Sequence, residues 1–362
     1  MNIKIDKNTV FQPVVKLVNI AEKRSLMPIL SNILISITSE QIVVSSTDLE
    51  LSGVAYIKEE RDIQSPIKLV VHGKRFVDIL RELENGEVDL GIKDNILTIK
   101  QGQTEFVLTL QDPDEFPEIK TLSNEKQFSL EGNKFVRLIN KVSFAVSNDE
   151  SRFVLMGMFM EGKKGEIRVV GTDGFRMALY KEPTEGIGDF KGVVIPRRSL
   201  GEVERMFDGE QNIDVYLDEK YVQFKNDKMV LISRIIEGSF PDYENVMPSN
   251  NNIVEVDREA FLKGLKKVSA ILGRSEPVKV VFGKDRIEIN SESDLGTARE
   301  ILDARNEGEE VSMNFNVKFL MDVVQHLDSS PLLLKIPSGY GAVLLEENGN
   351  DKYKNIIMPI RV

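Results

Sequence analysis

The sequence predicts an α+β protein with antiparallel sheets, built from three copies of one unit. A strand-like run followed by a short helix with a basic first residue occurs at Lys74, Arg197 and Lys318, which are 123 and 121 residues apart. A self-similar period of this length indicates one supersecondary plan used repeatedly. Each copy also closes on a proline that follows an apolar residue. These prolines are Pro117, Pro241 and Pro359.

The first copy shows which elements the plan contains. Apolar residues recur at helical spacing from Val10 to Ala21, and residues 32–58 alternate between apolar and polar. A short helix is predicted over 74–84. Three more strands are predicted at 88–94, 96–102 and 105–112. Because the strands and helices do not alternate strictly, antiparallel α+β sheets are favoured over a doubly wound sheet.

Three domains follow from this repeat, over residues 1–122, 128–247 and 253–362. The 362 residues give each copy the common size of a domain. Polar, turn-rich stretches at 122–127 and 248–257 are predicted to be linkers.

Composition excludes several classes of site. The chain has no cysteine and only two histidines, so we expect no disulfide, no metal site and no cofactor. It shows neither a leader nor an apolar run of the roughly 18 residues needed to cross a bilayer. We therefore expect a cytoplasmic protein.

The charge is segregated along the chain. The net charge is −11, yet the opening helix of each copy, within 7–24, 133–147 and 258–268, carries +3. In the second of these helices, Lys134 and Arg137 share a predicted stripe with Lys141, opposite apolar residues. Three such helices on an acidic protein indicate binding to phosphates without reading of sequence.

Signals of catalysis are weak. No phosphate loop and no nucleophile elbow is present. Asp173 precedes a glycine between two strand-like runs, which is typical of a hairpin turn. An enzyme that uses Asp173 with a second carboxylate stays open as an alternative.

Several segments together carry a resemblance to a known family. They are MPILSN (27–32), GTDGFRMALY (171–180), VVIPRRSL (193–200), EGSFPDYENVMP (237–248) and IIMPIRV (356–362). The chain resembles, over its whole length, the β subunits of bacterial DNA polymerase III, which are sliding clamps. The resemblance implies three DNA-clamp domains, with antiparallel sheets outside and two helices per domain facing a central channel.

The implied function is that of a processivity factor, not an enzyme. Two subunits would join head to tail in a ring around duplex DNA, contacted without sequence preference. The ring would tether the replicative polymerase, the clamp loader and other proteins with a clamp-binding motif. A repeat-built scaffold that does not encircle DNA is a further alternative.

The resemblance and the basic stripes together imply a set of DNA-facing residues. They are Lys16, Lys23, Arg24, Lys74, Lys134, Arg137, Lys141, Arg152, Arg197, Arg198, Arg205, Lys263, Lys266 and Lys267. Asp149 departs from the family pattern, because a neutral or basic residue would suit that loop better.

The resemblance also implies a pocket for partner peptides containing Gln, Leu and Phe. Its residues would be Leu155, Thr172, Gly174, Phe175, Arg176, Met177, Pro241, Val246, Val343, Ile356, Met358, Pro359 and Ile360. Phe175 and Asn245 replace the His and Arg of some members. The subunit interface would join Phe106 and Leu108 to Ile271 and Leu272 of the next subunit.

Overall fold

The computed structural model describes residues 2–21, 27–209, 212–273 and 276–361. Within these ranges the chain forms six α-helices and 24 strands, and every strand pair is antiparallel. The described chain divides into two compact units, residues 1–136 with 198–235 and residues 137–197 with 236–362. The predicted α+β class is confirmed.

Two α-helices belong to each copy of the repeat, as predicted. They are α1 (Lys7–Val18), α2 (Gly73–Glu82), α3 (Gly132–Val142), α4 (Arg197–Phe207), α5 (Arg258–Val268) and α6 (Val317–His326).

Side chains that accept main-chain hydrogen bonds explain where several helices begin. Asp6 accepts from the N–H of Asn8 before α1, and Asn316 accepts from the N–H of Lys318 before α6. Asp257 accepts from the N–H of Ala260 before α5, and this hydrogen bond lowers the pKa of the Asp257 carboxyl.

The strands follow in chain order. They are β1 (Asn2–Asp6), β2 (Asn32–Ile37), β3 (Gln41–Thr47), β4 (Leu51–Lys58), β5 (Ile67–His72), β6 (Glu87–Lys93), β7 (Ile96–Gln101), β8 (Thr104–Thr109), β9 (Phe128–Leu130), β10 (Gly157–Lys163), β11 (Glu166–Thr172), β12 (Arg176–Pro183), β13 (Phe190–Pro196), β14 (Ile213–Leu217), β15 (Tyr221–Lys225), β16 (Met229–Arg234), β17 (Asn252–Val256), β18 (Pro277–Phe282), β19 (Arg286–Ser293), β20 (Gly296–Asn306), β21 (Val311–Asn316), β22 (Leu332–Ile336), β23 (Val343–Glu347) and β24 (Asn350–Ile357).

The first unit holds two sheets. One has the order β1-β6-β7-β8, and the other has the order β5-β2-β3-β4-β16-β15-β14-β9. In the larger sheet β4 of the first copy pairs with β16 of the second, in the register Gly53 to Leu231. Sheet pairing therefore joins the first copy to part of the second.

The second unit is organised around one sheet of twelve strands, in the order β13-β10-β11-β12-β24-β23-β22-β17-β20-β19-β18-β21. Here β12 of the second copy pairs with β24 of the third, in the register Met177 to Ile356. The strands of the second copy are thus shared between the two units. This sharing explains why the units do not coincide with single copies of the repeat.

The two predicted linkers have different outcomes. Residues 122–127 form no helix or strand, but the Leu122 N–H donates to Gln223 Oε1 at 2.8 Å. The prediction for 248–257 is wrong in its second half, because β17 runs from Asn252 to Val256 and pairs with β20 and β22. Among the described residues, no helix is long and apolar enough to cross a membrane.

Candidate functional site

An apolar cleft of about 200 Å³ lies in the second unit. Its walls come from the 3₁₀ helix Glu150–Leu155, the turn between β11 and β12, the 240–246 loop and the end of β24. The lining residues are Leu155, Thr172, Gly174, Phe175, Arg176, Met177, Phe240, Pro241, Tyr243, Val246, Ala342, Ile356 and Met358.

The walls of this cleft combine buried and exposed apolar side chains. Met177 and Ile356 are buried, whereas Phe175, Val246 and Met358 are 52%, 55% and 39% exposed. Apolar surface that is already in contact with water beside a concave site is typical of a binding surface. An apolar side chain from a partner would gain burial here without unfolding the wall.

The turn between β11 and β12 forms one wall and is fixed by its own polar groups. Gly174 has φ +85°, a conformation that glycine adopts without strain. The Thr172 hydroxyl donates to the Arg176 carbonyl oxygen at 2.7 Å and accepts from the Gly174 N–H at 3.1 Å. Asp173 Oδ1 accepts from the N–H groups of Phe175 and Arg176, each at 3.0 Å. The predicted hairpin is therefore confirmed.

Arg176 is buried beneath this turn with its donors occupied. Its guanidinium donates to Asp173 Oδ2 at 3.1 Å, to Asp322 Oδ2 at 2.6 Å and to the Phe144 carbonyl oxygen at 2.7 Å. It also lies over the Phe319 ring at 4.3 Å. Because these partners already surround the charge, Arg176 supports the wall of the cleft and has little capacity left for an anionic ligand.

A second polar network holds the wall that carries Tyr243. The Tyr243 hydroxyl donates to Glu161 Oε1 at 2.5 Å, and burial raises the pKa of this hydroxyl far above its usual range. Next to it, Glu244 accepts from Lys163 at 2.8 Å and from Arg168 at 2.7 Å. These contacts attach the 240–246 loop to β10 and β11.

Ten of the thirteen residues predicted for the pocket line this cleft. The other three are not among its lining residues: Val343 is buried at 1% exposure, Pro359 is also buried, and the Ile360 N–H donates to the Asn314 carbonyl oxygen. Phe240, Tyr243 and Ala342 were missed. Phe240 and Tyr243 belong to the same FPDY segment as the predicted Pro241, so that segment could have indicated both residues.

The predicted DNA-facing cations of the first unit are mostly exposed. Lys74 on α2 and Lys134 at the start of α3 pair with Asp78 and Glu131, at 3.3 and 3.2 Å. On α4, Arg198 pairs with Asp48 and donates to the Ile20 carbonyl oxygen at 3.1 Å, and Arg205 pairs with Glu202. Lys16 is half-buried, and its ammonium donates to the Met206 carbonyl oxygen at 2.9 Å. Lys23 and Arg24 lie outside the described residues.

In the second unit the exposed predicted cations are Arg137, Arg197, Lys263, Lys266 and Lys267. Arg137 contacts Asp328 at 3.5 Å, Arg197 donates to Asn148 Oδ1 at 2.7 Å, and Lys267 pairs with Glu300 at 2.7 Å. Exposed ion pairs of this kind are worth about 0–1 kcal/mol. A phosphate can therefore compete for these cations at little cost.

Arg152, another predicted DNA-facing cation, lies beside the apolar cleft. Arg152 is half-buried, lies over the Phe175 ring at 4.9 Å and contacts Asp149 at 3.7 Å. Asp149 itself accepts from the Ser151 N–H at 3.0 Å, so it begins the 3₁₀ helix beside the cleft. This role explains a carboxylate in that loop.

The prediction that Lys141 belongs to an exposed stripe is wrong. Its side chain is 8% exposed, and its ammonium donates to the His326 carbonyl oxygen at 2.6 Å and pairs with Asp328 at 2.8 Å. The ammonium also lies 4.6 Å from the Tyr353 ring. Helical spacing alone places Lys141 beside Arg137, but residues distant in sequence cover that turn of α3.

The residues predicted for the subunit interface lie at two different surfaces. Phe106 and Leu108 are half-exposed on β8, which is the last strand of its sheet. Ile271 and Leu272 are half-exposed at the end of the 3₁₀ helix Ser269–Ile271.

Comparison with protein families covers nearly the whole chain. Models of the DNA polymerase III beta subunit match in the order N-terminal, central and C-terminal domain, at residues 1–120, 129–242 and 244–361. The chain belongs to the DNA polymerase III beta subunit family. The fold is the three-domain fold of sliding clamps.

Individual beta subunits support this assignment. The beta sliding clamp of Pseudomonas putida is 27% identical over 370 residues that cover both chains completely. That of Staphylococcus aureus is 29% identical over 351 residues, 93% of each chain. A Caulobacter crescentus clamp structure, 27% identical, matches 100% of this chain and 99% of its own with a TM-score of 0.94. That structure is described with polyethylene glycol bound at a proposed beta-motif tethering region.

Proposed function

We propose that this chain is a DNA sliding clamp, which encircles duplex DNA and tethers the replicative polymerase to it. The match to all three beta subunit domains, in order along one chain, carries this conclusion. The role is that of a processivity factor and requires no catalysis. The enzyme alternative is disfavoured because both oxygens of the Asp173 carboxylate already accept hydrogen bonds, Oδ1 from its own turn and Oδ2 from Arg176.

The exposed cations on the helices support binding to phosphates without sequence recognition. A clamp has to attract the backbone of DNA and still move along it. Lysine and arginine side chains in weak surface pairs supply such an attraction, because each contact is exchangeable and screened by salt. Among these cations, Lys134, Arg137, Arg197 and Lys266 are proposed to face DNA.

Ring closure is proposed to join two copies head to tail. Phe106 and Leu108 would meet Ile271 and Leu272 of a second copy, so that unlike surfaces pair. The outer edge of β8 and the exposed apolar side chain of Val107 support such pairing. We propose that the ring works beside the chromosome in the cytoplasm.

The apolar cleft is proposed to be the tethering site for the polymerase, the clamp loader and other proteins with a clamp-binding motif. The exposed Phe175, Val246 and Met358 would cover leucine or phenylalanine side chains of such a segment. Methionines suit a site that accepts several partners, because the thioether chain adapts its shape.

Encirclement is tested by the topology of the DNA. The protein is loaded by a clamp loader onto nicked circular DNA and isolated with it at moderate salt, and the circle is then cut once. We expect the protein to stay on the circle and to leave the linear product, because the surface pairs alone hold it weakly. Equal retention on both forms would show that it binds DNA without encircling it.

A further inference from the structure

The residues after β24 form one wall of the cleft, and we call 358–361 the C-terminal segment. Its first residue, Met358, lines the cleft and donates its N–H to the Phe175 carbonyl oxygen at 2.8 Å. Two residues later, the Ile360 N–H donates to the Asn314 carbonyl oxygen at 2.7 Å. Between these anchors stands Pro359, which has no N–H of its own to donate.

Tyr340 anchors Pro359 through its carbonyl oxygen, the one main-chain hydrogen-bonding group that a proline has. Its hydroxyl donates to the Pro359 carbonyl oxygen at 2.6 Å. The Arg361 guanidinium lies 4.5 Å from the centre of the Tyr340 ring, within the range of a cation–π contact. Tyr340 thus holds the C-terminal segment at two points, although as a residue it is 53% exposed.

The loop that carries Tyr340 is itself fixed. It spans 337–342 between β22 and β23 and ends at Ala342, another lining residue of the cleft. Asn250 Nδ2 donates to the carbonyl oxygens of Lys335 and Ala342, at 2.8 and 2.9 Å, and so ties both ends of this loop. Tyr340 therefore extends from a fixed base to the C-terminal segment, although it does not line the cleft itself.

We infer that Tyr340 is a positioning residue for partner binding, which holds the Met358 wall of the cleft in its binding conformation. The inference rests on the proposed tethering function of the cleft. A site that is formed only part of the time binds with an affinity reduced by that fraction. Without the hydroxyl, the segment between Met358 and Ile360 has no side-chain anchor at Pro359, and the wall is formed for less of the time.

The test is the single change Tyr340→Phe, which removes the hydroxyl and keeps the ring. The probe is a labelled synthetic peptide with a Gln-Leu-Phe segment, and its affinity is measured by fluorescence anisotropy on the full chain. We expect about three- to tenfold weaker binding, the range of one neutral hydrogen bond. The melting temperature should fall by no more than a few degrees, because one hydrogen bond of a half-exposed residue is lost and no core contact is removed. Tyr216→Phe, on β14 of the first unit, is the matched control and should bind as the unchanged chain does.

A double-mutant cycle with Met358→Ala separates positioning from a general effect. If Tyr340 acts through the Met358 wall, Tyr340→Phe should have little further effect once Met358 is alanine. Arg361→Ala, which leaves the hydroxyl in place, should weaken the peptide about twofold by loss of the cation–π contact.

The outcomes are distinguishable. Unchanged affinity in Tyr340→Phe, or an equal loss with and without Met358, overturns the positioning role while the tethering function stands. If the unchanged chain does not bind the peptide at all, the proposed tethering function fails, and the role of Tyr340 fails with it.

Discussion

Arg176 joins the wall of the cleft to α6 through Asp322, with 2.6 Å between Nη1 and Oδ2. The Arg176 side chain is 8% exposed and that of Asp322 is 25% exposed. The pair therefore lies largely out of water, where loss of one partner leaves the other charge with fewer compensating contacts. This contact adds a link to α6 for the turn that carries Phe175, which is fixed by its own hydrogen bonds.

Replacing Asp322 by alanine should destabilise the second unit. Because Arg176 keeps Asp173 and the Phe144 carbonyl oxygen, we expect about 2–3 kcal/mol, less than for a fully buried pair. Urea unfolding measures the loss. Asp78→Ala is the control, since Asp78 pairs with Lys74 and Arg81 at the surface of α2 and its loss should change the free energy of unfolding very little. Equal losses in both variants would contradict the buried character of the Arg176 pair.

Two lysines of α3 should separate stability from DNA binding. Lys141→Ala removes the buried contacts with His326, Asp328 and Tyr353, and we expect a loss of about 2–4 kcal/mol in unfolding free energy. Lys134→Ala should leave stability nearly unchanged and reduce the salt slope of DNA binding by about one. Unfolding in urea and binding to a short duplex at several salt concentrations measure the two effects. If folded Lys141→Ala loses as much affinity for the duplex as Lys134→Ala does, Lys141 contributes to DNA binding and the interpretation as a buried residue is wrong.

The class of fold could be predicted from the sequence because it depends on local patterns, whereas the cleft residues were predicted only through the resemblance to a known family. Alternation and helical spacing are visible in a short window, and the hairpin at Asp173 is encoded by its own glycine. The pairing of β4 with β16 and of β12 with β24 was not predicted. Such pairs join different copies of the repeat, and a repeated pattern does not say which edges meet.

Lys141 illustrates the same limit for a single side chain. Its spacing from Lys134 and Arg137 defines a helix face, but burial depends on Asp328 and Tyr353, which come much later in the chain. Conversely, Tyr340 carries no motif, and only the position of the Pro359 carbonyl oxygen gives it a role. Local sequence determines which face a residue occupies, and tertiary contacts determine what covers that face.

The cleft should be separable from the core by one pair of variants. Met358 is partly exposed, so Met358→Ala should weaken a Gln-Leu-Phe peptide several-fold, because a buried apolar anchor is worth roughly 1.5–3 kcal/mol. Leu138→Ala, at a fully buried position on α3, should destabilise the fold by roughly 2–5 kcal/mol and leave peptide affinity unchanged. Calorimetry and thermal unfolding on both variants provide the comparison. If folded Met358→Ala binds the peptide with unchanged affinity, the cleft is not the binding site for partner peptides.

Assembly should respond to a single charge at the proposed interface. Twice the mass of the 40.9 kDa chain gives about 82 kDa for the expected dimer in sedimentation. Leu272→Asp buries a carboxylate against Phe106 and Leu108 of the second copy, and should shift the protein to monomer without unfolding it. Ser312→Asp, at an exposed position on β21, serves as the control and should remain a dimer. A monomer at micromolar concentration for the unchanged chain would rule out the closed ring.

Alkaline pH should lower stability through a buried tyrosine. Burial raises the pKa of the fully buried Tyr353, whose hydroxyl donates to the Lys141 carbonyl oxygen at 2.7 Å. The unfolded chain, with a tyrosine pKa of about 10, loses this proton before the folded chain does. The unfolded state then binds fewer protons, so the free energy of unfolding falls above about pH 10, by up to about 1.4 kcal/mol per pH unit for each such tyrosine.

Below that pH, Tyr353→Phe should be less stable by about 1 kcal/mol because it lacks the hydrogen bond. Above it, the variant loses less stability with each pH unit, so its curve should converge on that of the unchanged chain. Urea unfolding at a series of pH values measures both curves, and parallel curves across pH 10 would show that Tyr353 does not keep its proton in the folded state.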